Sequence, residues 1–394
     1  MIQTLLDAFA CRFGPGKAPR LFFAPGRVNL IGEHTDYNGG HVFPCALTLG
    51  IYCAARRRSD RALRLFSLNF PDAGVIETEM DRAEPLPGGC WGNYVLGVIR
   101  AFADARHVLP AGLDLAFFGD IPAGSGLSSS AALEVLTGTV LKGMFDLPVS
   151  GTEVALLGQR AENDFVGLSC GIMDQFASAM GRREKAIFLN TETLEYAYAP
   201  LELGDAHIMI ANSMVKHSLA GSAYNDRRSE CERALADLRR ARPALQSLGA
   251  LTPTEFDALA DAITDPVCRR RARHAVYENA RTIAAFAALQ KGDLRTFGKL
   301  MNESHVSLRD DYAVSCAEVD LLTEIAWRCP GVLGSRITGG GFGGCTVSIV
   351  EDAAAESFAE TVRREYAERS GYAAQIYTVS AGDGAHEITE EARS

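Results

Sequence analysis

The sequence predicts a chain of two domains, each of which mixes helices and strands. Its 394 residues are enough for two domains with a large core. Apolar runs with strand character occur along the chain together with stretches whose apolar residues recur at helical spacing. Near residue 185 the pattern changes, because two strands at 186–190 and 207–211 are followed mostly by helices. We therefore predict domains of residues 1–185 and 186–394.

Composition and charge exclude several classes of protein. Hydrophobic residues make up 47% and charged residues 22% of the chain, as in soluble globular proteins. The net charge of −10 argues against nucleic acid or an anionic membrane surface as the main partner. No stretch has the 18 apolar residues of a membrane span, and the N-terminus lacks the basic segment of a signal peptide. The cysteines show neither metal-site nor disulfide spacing, so we expect reduced thiols and a cytoplasmic location.

The first strand, predicted at 21–24, runs into a segment that mixes apolar anchors with polar groups. Residues 25–40 read Pro-Gly-Arg-Val-Asn-Leu-Ile-Gly-Glu-His-Thr-Asp-Tyr-Asn-Gly-Gly. The charged or titratable candidates there are Arg27, Glu33, His34 and Asp36. Donors and acceptors on a fixed backbone suit a polyhydroxylated ligand. A surface turn with incidental charges is the alternative.

Strands at 51–57, 63–67 and 75–79 and a helix at 91–105 come next. Five arginines cluster in this strand region, at positions 56, 57, 58, 61 and 64. We interpret them as a solvated strand and turn in preference to a binding patch.

A loop rich in glycine and serine joins a strand at 113–118 to a buried helix. Residues 119–136 read Gly-Asp-Ile-Pro-Ala-Gly-Ser-Gly-Leu-Ser-Ser-Ser-Ala-Ala-Leu-Glu-Val-Leu. Proline and glycine prevent regular structure, and the three serines are residues of the helix N-cap type. The N–H groups and dipole of such a helix start favour an anion, so we predict a polyphosphate site. The alternative, an ordinary glycine turn with a serine cap, explains three consecutive serines less well.

Two carboxylates lie where partial burial is expected. Glu162 adjoins the apolar face of a helix predicted at 152–165, and Asp174 lies between apolar neighbours after a turn at Gly171. Burial of a carboxylate costs free energy unless the group is paired. From the residues alone, Glu162 fits a surface position. Asp174 fits a helix cap, an ion-pair partner or a catalytic group equally well.

The second half adds a glycine-rich loop at 338–345, Thr-Gly-Gly-Gly-Phe-Gly-Gly-Cys, between strands at 332–337 and 346–350. So many glycines let the backbone pass close to a ligand or another domain. A helix at 356–370 and a strand at 375–379 follow. We interpret the arginines at 269, 270, 271 and 273 as a solvated helix surface.

Four motifs resemble those of the galactokinase family, and they occur in the expected order. Residues 26–40 are similar to its signature, and residues 171–176, Gly-Ile-Met-Asp-Gln-Phe, resemble its catalytic segment. Residues 122–132 resemble the ATP loop of the wider superfamily of galactokinase, homoserine kinase, mevalonate kinase and phosphomevalonate kinase. Residues 334–345 resemble a further motif, with Gly340 where alanine is common. The implied fold is two α+β domains, a mixed-sheet S5-like N-terminal domain and a ferredoxin-like C-terminal domain, with the active site between them.

The resemblance also implies a reaction and roles for residues. ATP and D-galactose would give α-D-galactose 1-phosphate and ADP, the first committed step of the Leloir pathway. Asp174 would accept the proton of the C1 hydroxyl, Arg27 would keep Asp174 ionised and stabilise the transition state, and Mg²⁺ would lie on Ser130 and Glu162. The implied sugar-binding residues are Glu33, His34, Thr35, Asp36, Gly171 and Tyr224. The implied ATP-binding residues are Gly124, Ser125, Gly126, Leu127, Ser128, Ser129 and Ser130, with Trp91 and Tyr94 near adenine, although core packing explains these two aromatics equally well.

Two alternatives stay open at the level of sequence. One is a kinase for another monosaccharide such as N-acetylgalactosamine. The other is a galactose sensor that binds ATP and sugar without turnover. Intact Ser130-Ala131-Ala132 and the presence of Asp174 favour catalysis. The sequence indicates the small-molecule substrates D-galactose and ATP and does not identify a protein partner.

Overall fold

The computed structural model describes residues 1–122, 125–215 and 220–389, apart from the side chains of residues 220–222. The helices are α1 (Ile2–Phe13), α2 (Gly92–Asp104), α3 (Ser129–Phe145), α4 (Gly151–Arg160), α5 (Met173–Met180), α6 (Ala220–Ala241), α7 (Pro253–Leu259), α8 (Pro266–Gln290), α9 (Leu294–Asp310), α10 (Ala317–Arg328) and α11 (Ala355–Ser370). The strands are β1 (Arg20–Asn29), β2 (His41–Val42), β3 (Pro44–Arg57), β4 (Ala62–Ser67), β5 (Ile76–Glu79), β6 (Leu113–Gly119), β7 (Lys185–Asn190), β8 (Tyr196–Pro200), β9 (Ala206–Asn212), β10 (Val332–Thr338), β11 (Cys345–Glu351), β12 (Gln375–Val379) and β13 (His386–Ile388). Among the described residues, no helix is both long and apolar enough to cross a bilayer.

A mixed sheet forms the first half of the fold, with the strand order β13-β1-β3-β6-β4-β5 among the described residues. Its pairs are antiparallel except β4 and β6, which run parallel. Helices α2 and α3 cover one face and bury a core that includes Phe22, Ile99, Leu115 and Leu136. Apolar residues on the inner faces of both layers explain why this sheet and these helices pack together.

The second half is built on an antiparallel sheet in the order β10-β11-β9-β12, and β2, β7 and β8 form a smaller sheet. Helices α10 and α11 pack on the larger sheet through a cluster that includes Leu322, Val350, Phe358 and Tyr366. Asp265 caps the start of helix α8, because its carboxylate accepts a hydrogen bond from Val267 N at 2.8 Å, and Pro266 occupies the first turn. Both are favoured at helix starts.

The two halves share a buried cluster. Val28 and Phe43, from the first half, pack with Phe297, Ile210 and Val347 from the second. This packing holds the segment after β1 beside the loop between β10 and β11. Residues from both halves therefore meet in one place.

Predicted and observed elements agree closely where patterning is local. The α+β composition and the mixed sheet are confirmed, and the strand predicted at 375–379 has the observed bounds. Strands β2, β8 and β13 were not predicted. Strand β13 pairs with β1 in the first sheet, so residues 386–388 belong to the sheet of the N-terminal domain although they follow the predicted division at residue 185. The predicted boundary itself stays a prediction.

Candidate active site

One cavity, of about 270 Å³, collects most of the predicted site residues. It lies where the segment after β1, the loop before α3, the start of α5 and the loop after β10 converge. Its lining comprises Arg27, Glu33, His34, Asp36, Ser125, Gly126, Ser128, Ser129, Ser130, Glu162, Leu168, Cys170, Gly171, Met173, Asp174, Tyr224, Gly339 and Gly340.

An ion pair between Arg27 and Asp174 forms part of this lining. Arg27 Nε donates to Asp174 Oδ1 at 2.8 Å and Arg27 Nη2 to Oδ2 at 2.9 Å, which is the bidentate geometry that suits a guanidinium and a carboxylate. Arg27 Nη1 also donates to Gly126 O at 2.8 Å, so the arginine joins the carboxylate to the serine loop. Burial opposes the charge of Arg27, but the carboxylates of Asp174 and Glu33 raise its pKa above the ordinary value.

Ser128 contributes a third hydrogen bond to Asp174. Its backbone has φ 62° and ψ 48°, a left-handed conformation that directs the hydroxyl at Asp174 Oδ2. A carboxylate has about four acceptor positions, of which three are filled by Arg27 and Ser128. Among the residues that the structure describes, one acceptor position on Oδ1 therefore stays open.

Behind the serine loop lies a pair of buried carboxylates joined by an amide. Gln175 Nε2 donates to Glu134 Oε2 at 2.8 Å and to Glu162 Oε2 at 2.7 Å. Burial raises the pKa of both carboxyls, and each is raised further by a neighbouring carboxylate, Glu162 for Glu134 and Asp174 for Glu162. The Cys170 thiol donates to Glu162 Oε2 at 3.3 Å, and this contact and the nearby Ser130 hydroxyl lower the pKa of Glu162 in part. A cation would relieve this crowding of negative charge.

Asp36 lies against the backbone of Gly171. A Cβ atom at Gly171 would come within 1.9 Å of Asp36 Oδ2, so glycine is required for this approach. Burial, and next the charge of Asp174, raise the pKa of Asp36 to about 7. The Tyr37 N–H donates to Asp36 Oδ1 at 3.1 Å, and the backbone N–H groups of Met173 and Tyr37 lower the pKa of Asp36 in part.

Glu33 links the two halves of the fold. Its Oε1 accepts hydrogen bonds from Gly339 N at 2.8 Å and Thr338 Oγ1 at 3.2 Å, and it pairs with the fully buried Arg336 at 3.3 Å. Its Oε2 accepts from Asn29 at 3.0 Å. The predicted sugar ligand Glu33 thus also anchors the glycine-rich loop beside the cavity.

His34 presents an unpaired ring nitrogen. Its Nδ1 is 2.8 Å from the hydroxyl of Tyr37, while the buried Nε2 has no hydrogen-bond partner in the described part of the chain. Burial lowers the pKa of His34 well below its ordinary value. The Tyr224 ring packs against His34 with 5.5 Å between ring centroids and lines the same cavity. Because a neutral imidazole nitrogen needs a partner when buried, Nε2 is a candidate ligand contact.

Some predicted site residues are not in the cavity lining. The Thr35 hydroxyl lies 2.8 Å from Gly32 O and 2.6 Å from His41 O, so it stabilises the segment itself. Leu127 is buried in the core shared by the two halves. Trp91 packs edge-on against Phe117 at the start of α2, and Tyr94 lies with it on the same core. Gly124 lies outside the described residues.

Sequence reasoning missed Glu134 and Gln175, and it assigned no contact to Gly339, Gly340 or Cys170. Gln175 adjoins Asp174 in the predicted catalytic segment, and Glu134 follows the serine loop by four residues. A polar residue on the buried face of each helix was the signal that could have revealed the pair.

Comparison with known proteins adds three regions of family similarity. Residues 7–57 match the galactokinase galactose-binding signature, residues 93–182 the N-terminal domain of GHMP kinases and residues 285–368 the GHMP kinase C-terminal domain. The chain is 52% identical over 368 residues to the galactokinase of Clostridium acetobutylicum, covering 93% of this chain and 94% of that protein. It is 47% identical over 391 residues to the galactokinase of Bacillus subtilis, covering 99% and 100%.

Solved structures agree with this similarity. The crystal structure of Lactococcus lactis galactokinase complexed with galactose has a TM-score of 0.96 and 46% sequence identity, covering 98% of this chain and 100% of that one. The mevalonate kinase of Methanococcus jannaschii has a TM-score of 0.65 at 16% identity, covering 94% and 100%, which is a likeness of fold. The predicted two-domain fold class is therefore confirmed.

Proposed function

We propose that this chain, which belongs to the galactokinase family of sugar kinases, transfers the γ-phosphoryl group of ATP to the C1 hydroxyl of D-galactose. The observation that carries the proposal is the Arg27–Asp174 pair, which lies between polar groups suited to a sugar and a serine loop suited to phosphates. In the reaction, a bond forms between the C1 oxygen and the γ-phosphorus. The bond from that phosphorus to the β–γ bridging oxygen breaks, and ADP leaves.

Asp174 is the proposed base. The acceptor position left open on Oδ1 can take the proton of the C1 hydroxyl as the oxygen attacks. Arg27, which is 3% exposed, holds the carboxylate by two hydrogen bonds and adds a fixed positive charge where negative charge develops. Since phosphoryl transfer depends mainly on positioning and charge neutralisation, this pair supplies both.

The phosphates would occupy the start of α3. Gly126 and Ser129 are exposed at the cavity, and the buried Ser125 hydroxyl lacks a hydrogen-bond partner within the described residues. Backbone N–H groups at the start of a 17-residue helix favour an anion there. We propose the polyphosphate of ATP as that anion, with adenine near Trp91 and Tyr94.

Ser130 and Glu162 fit a magnesium ion. Both offer the oxygen ligands that Mg²⁺ prefers. Burial, and next the charge of Asp174, raise the pKa of Glu162, so a bound cation would favour its ionised form. In the described part of the chain, no group of three or more His, Cys, Asp or Glu side chains is arranged to hold a metal by itself. Mg²⁺ bound to Ser130, Glu162 and phosphate oxygens would neutralise charge on the transferred group.

The sugar would lie on Glu33, His34, Asp36, Gly171 and Tyr224. Galactose and glucose differ only in the direction of the C4 hydroxyl, so a site that separates them must rely on hydrogen bonds left unmade by the wrong epimer. We propose Asp36 as the acceptor for the C3 and C4 hydroxyls.

The free thiols of all ten cysteines support the predicted reducing, cytoplasmic setting.

A coupled ADP-release assay over galactose, glucose and N-acetylgalactosamine tests this function. We expect strong preference for galactose and product phosphorylated at C1. Equal turnover of glucose would refute the account of the pocket, and ATP and galactose binding without turnover would favour a sensor.

A further inference from the structure

A chain of hydrogen bonds runs from His34 to the interior of the second half of the fold. The His34 Nδ1 lies 2.8 Å from the Tyr37 hydroxyl, which lies 2.8 Å from the Tyr312 hydroxyl. The Tyr312 hydroxyl lies 3.2 Å from Cys231 Sγ. His34, Tyr312 and Cys231 are 4%, 0% and 1% exposed, so water has little access to these groups.

The chemistry of the groups favours one direction for these bonds. A phenol hydroxyl is a good donor and a poor acceptor, whereas an unprotonated imidazole nitrogen is a good acceptor. The strongest arrangement therefore has Tyr37 donating to His34 Nδ1, Tyr312 donating to the Tyr37 oxygen, and the Cys231 thiol donating to Tyr312. Burial raises the pKa of Cys231 to about 12, so this thiol keeps its proton at neutral pH.

With its Nδ1 accepting, a neutral His34 carries its proton on Nε2. That nitrogen is buried in the cavity lining and has no other partner among the described residues. The Tyr312 ring packs on the imidazole with 4.8 Å between centroids, which restricts rotation of the ring. Asp36 lines the same cavity and offers hydrogen-bond acceptors to a ligand, so an N–H donor at His34 Nε2 would supply the opposite kind of contact.

We propose that Tyr37 and Tyr312 are positioning residues that hold the His34 proton on Nε2, so that His34 donates a hydrogen bond to a hydroxyl oxygen of the bound sugar. The inference rests on the proposed function, because it takes the ligand of this cavity to be a sugar. Tyr37 and Tyr312 act through His34 and touch no reacting atom. This chain of hydrogen bonds thus extends the sugar site to Tyr37 and Tyr312, which lie more than 270 positions apart in the sequence.

The proton position is tested first on the sugar-free wild-type protein. Long-range ¹H–¹⁵N correlation spectra of ¹⁵N-histidine-labelled protein distinguish a protonated from an unprotonated ring nitrogen, and loss of a signal in His34→Gln assigns it. We expect a neutral ring with the proton on Nε2 between pH 6 and pH 8. A proton on Nδ1, or a doubly protonated ring, would overturn the proposal.

Single-atom deletions test the consequence for sugar binding. Tyr37→Phe should raise the KM for galactose roughly tenfold, the effect of one lost hydrogen bond that leaves its partner unpaired. Tyr312→Phe should act in the same direction but less, because Tyr37 still donates to His34. The KM for ATP should stay within about twofold in both, since only the sugar half of the site is altered.

Tyr366→Phe is the matched control. Tyr366 is as buried as Tyr312, and its hydroxyl donates to Ser213 O at 2.9 Å, away from the cavity lining. A galactose KM in Tyr37→Phe no higher than in this control would contradict the proposal. If Tyr37→Phe does not fold, the galactose KM of Tyr312→Phe and the proton position in the wild-type spectrum test the proposal in its place. Lack of galactose turnover by wild type would refute the proposed function alone, because the spectrum needs no sugar.

Discussion

Replacing Gly171 by alanine should displace the carboxylate of Asp36. The new Cβ would lie 1.9 Å from Asp36 Oδ2 and 2.1 Å from its carboxyl carbon, whereas real Cβ contacts stay above 3.0 Å. The carboxylate must therefore retreat by about 1 Å, and such a misplacement costs on the order of a hundredfold in rate. That factor corresponds to about 2.7 kcal/mol of transition-state stabilisation.

The assay is kcat/KM for galactose together with the dissociation constant for ATP. We expect Gly171→Ala to lower kcat/KM about a hundredfold and to leave ATP affinity within about twofold. Gly119→Ala is the control, because its Cβ would be 3.4 Å from the nearest atom, which is ordinary contact. In an Asp36→Ala background the same glycine substitution should have almost no further effect, since the displaced group is gone. Full activity of Gly171→Ala, or additive losses in the double variant, would refute the reasoning.

Three other perturbations address the base, the metal and the pKa of Asp36. Asp174→Asn should lower kcat by roughly two to four orders of magnitude with ATP binding retained, and near-normal turnover of the purified variant would exclude Asp174 as the base. Ser130→Ala and Glu162→Gln should each raise the Mg²⁺ concentration needed for half-maximal activity, and full additivity in the double variant would argue against a shared ion. The pKa of Asp36 in the folded chain is raised to about 7, so the folded chain binds this proton more tightly than the unfolded chain does. The contribution of Asp36 to the free energy of unfolding therefore falls as the pH rises from about 4 to about 7. Asp36→Asn should consequently show a smaller loss of stability over that range in urea unfolding, and an unchanged pH profile would show that the pKa is not raised.

Local chemistry explains what the sequence could predict. The glycine and serine loop before α3 carries its structural meaning in consecutive residues, since proline, glycine and hydroxyl side chains each restrict the backbone in known ways. The sequence therefore indicated a helix start and a phosphate site. The direction of the Ser128 hydroxyl, towards Asp174, depends on a left-handed backbone and on a carboxylate 46 residues away, and no local pattern reports either.

Long-range pairing explains what the sequence could not predict. The prediction of a solvated surface was wrong for Arg271, which is 6% exposed and pairs with Glu230 of α6 at 2.8 Å. Likewise, Arg56, Arg58 and Arg64 converge on the buried Asp114, so that cluster is an ion-pair network across strands. A run of arginines looks the same in sequence whether water or a distant carboxylate faces it.

The pairing of β13 with β1 has a consequence for biosynthesis. Leu21, Phe22 and Phe23 emerge from the ribosome early, but their partners at 386–388 follow about 360 residues later. At typical elongation rates that interval is roughly 20 to 70 s. Throughout it, β1 presents an apolar edge whose hydrogen-bonding groups are unmatched on one side, and such edges recruit strands from other chains. A nascent-chain chaperone that covers this edge would therefore act on the strand that carries Arg27.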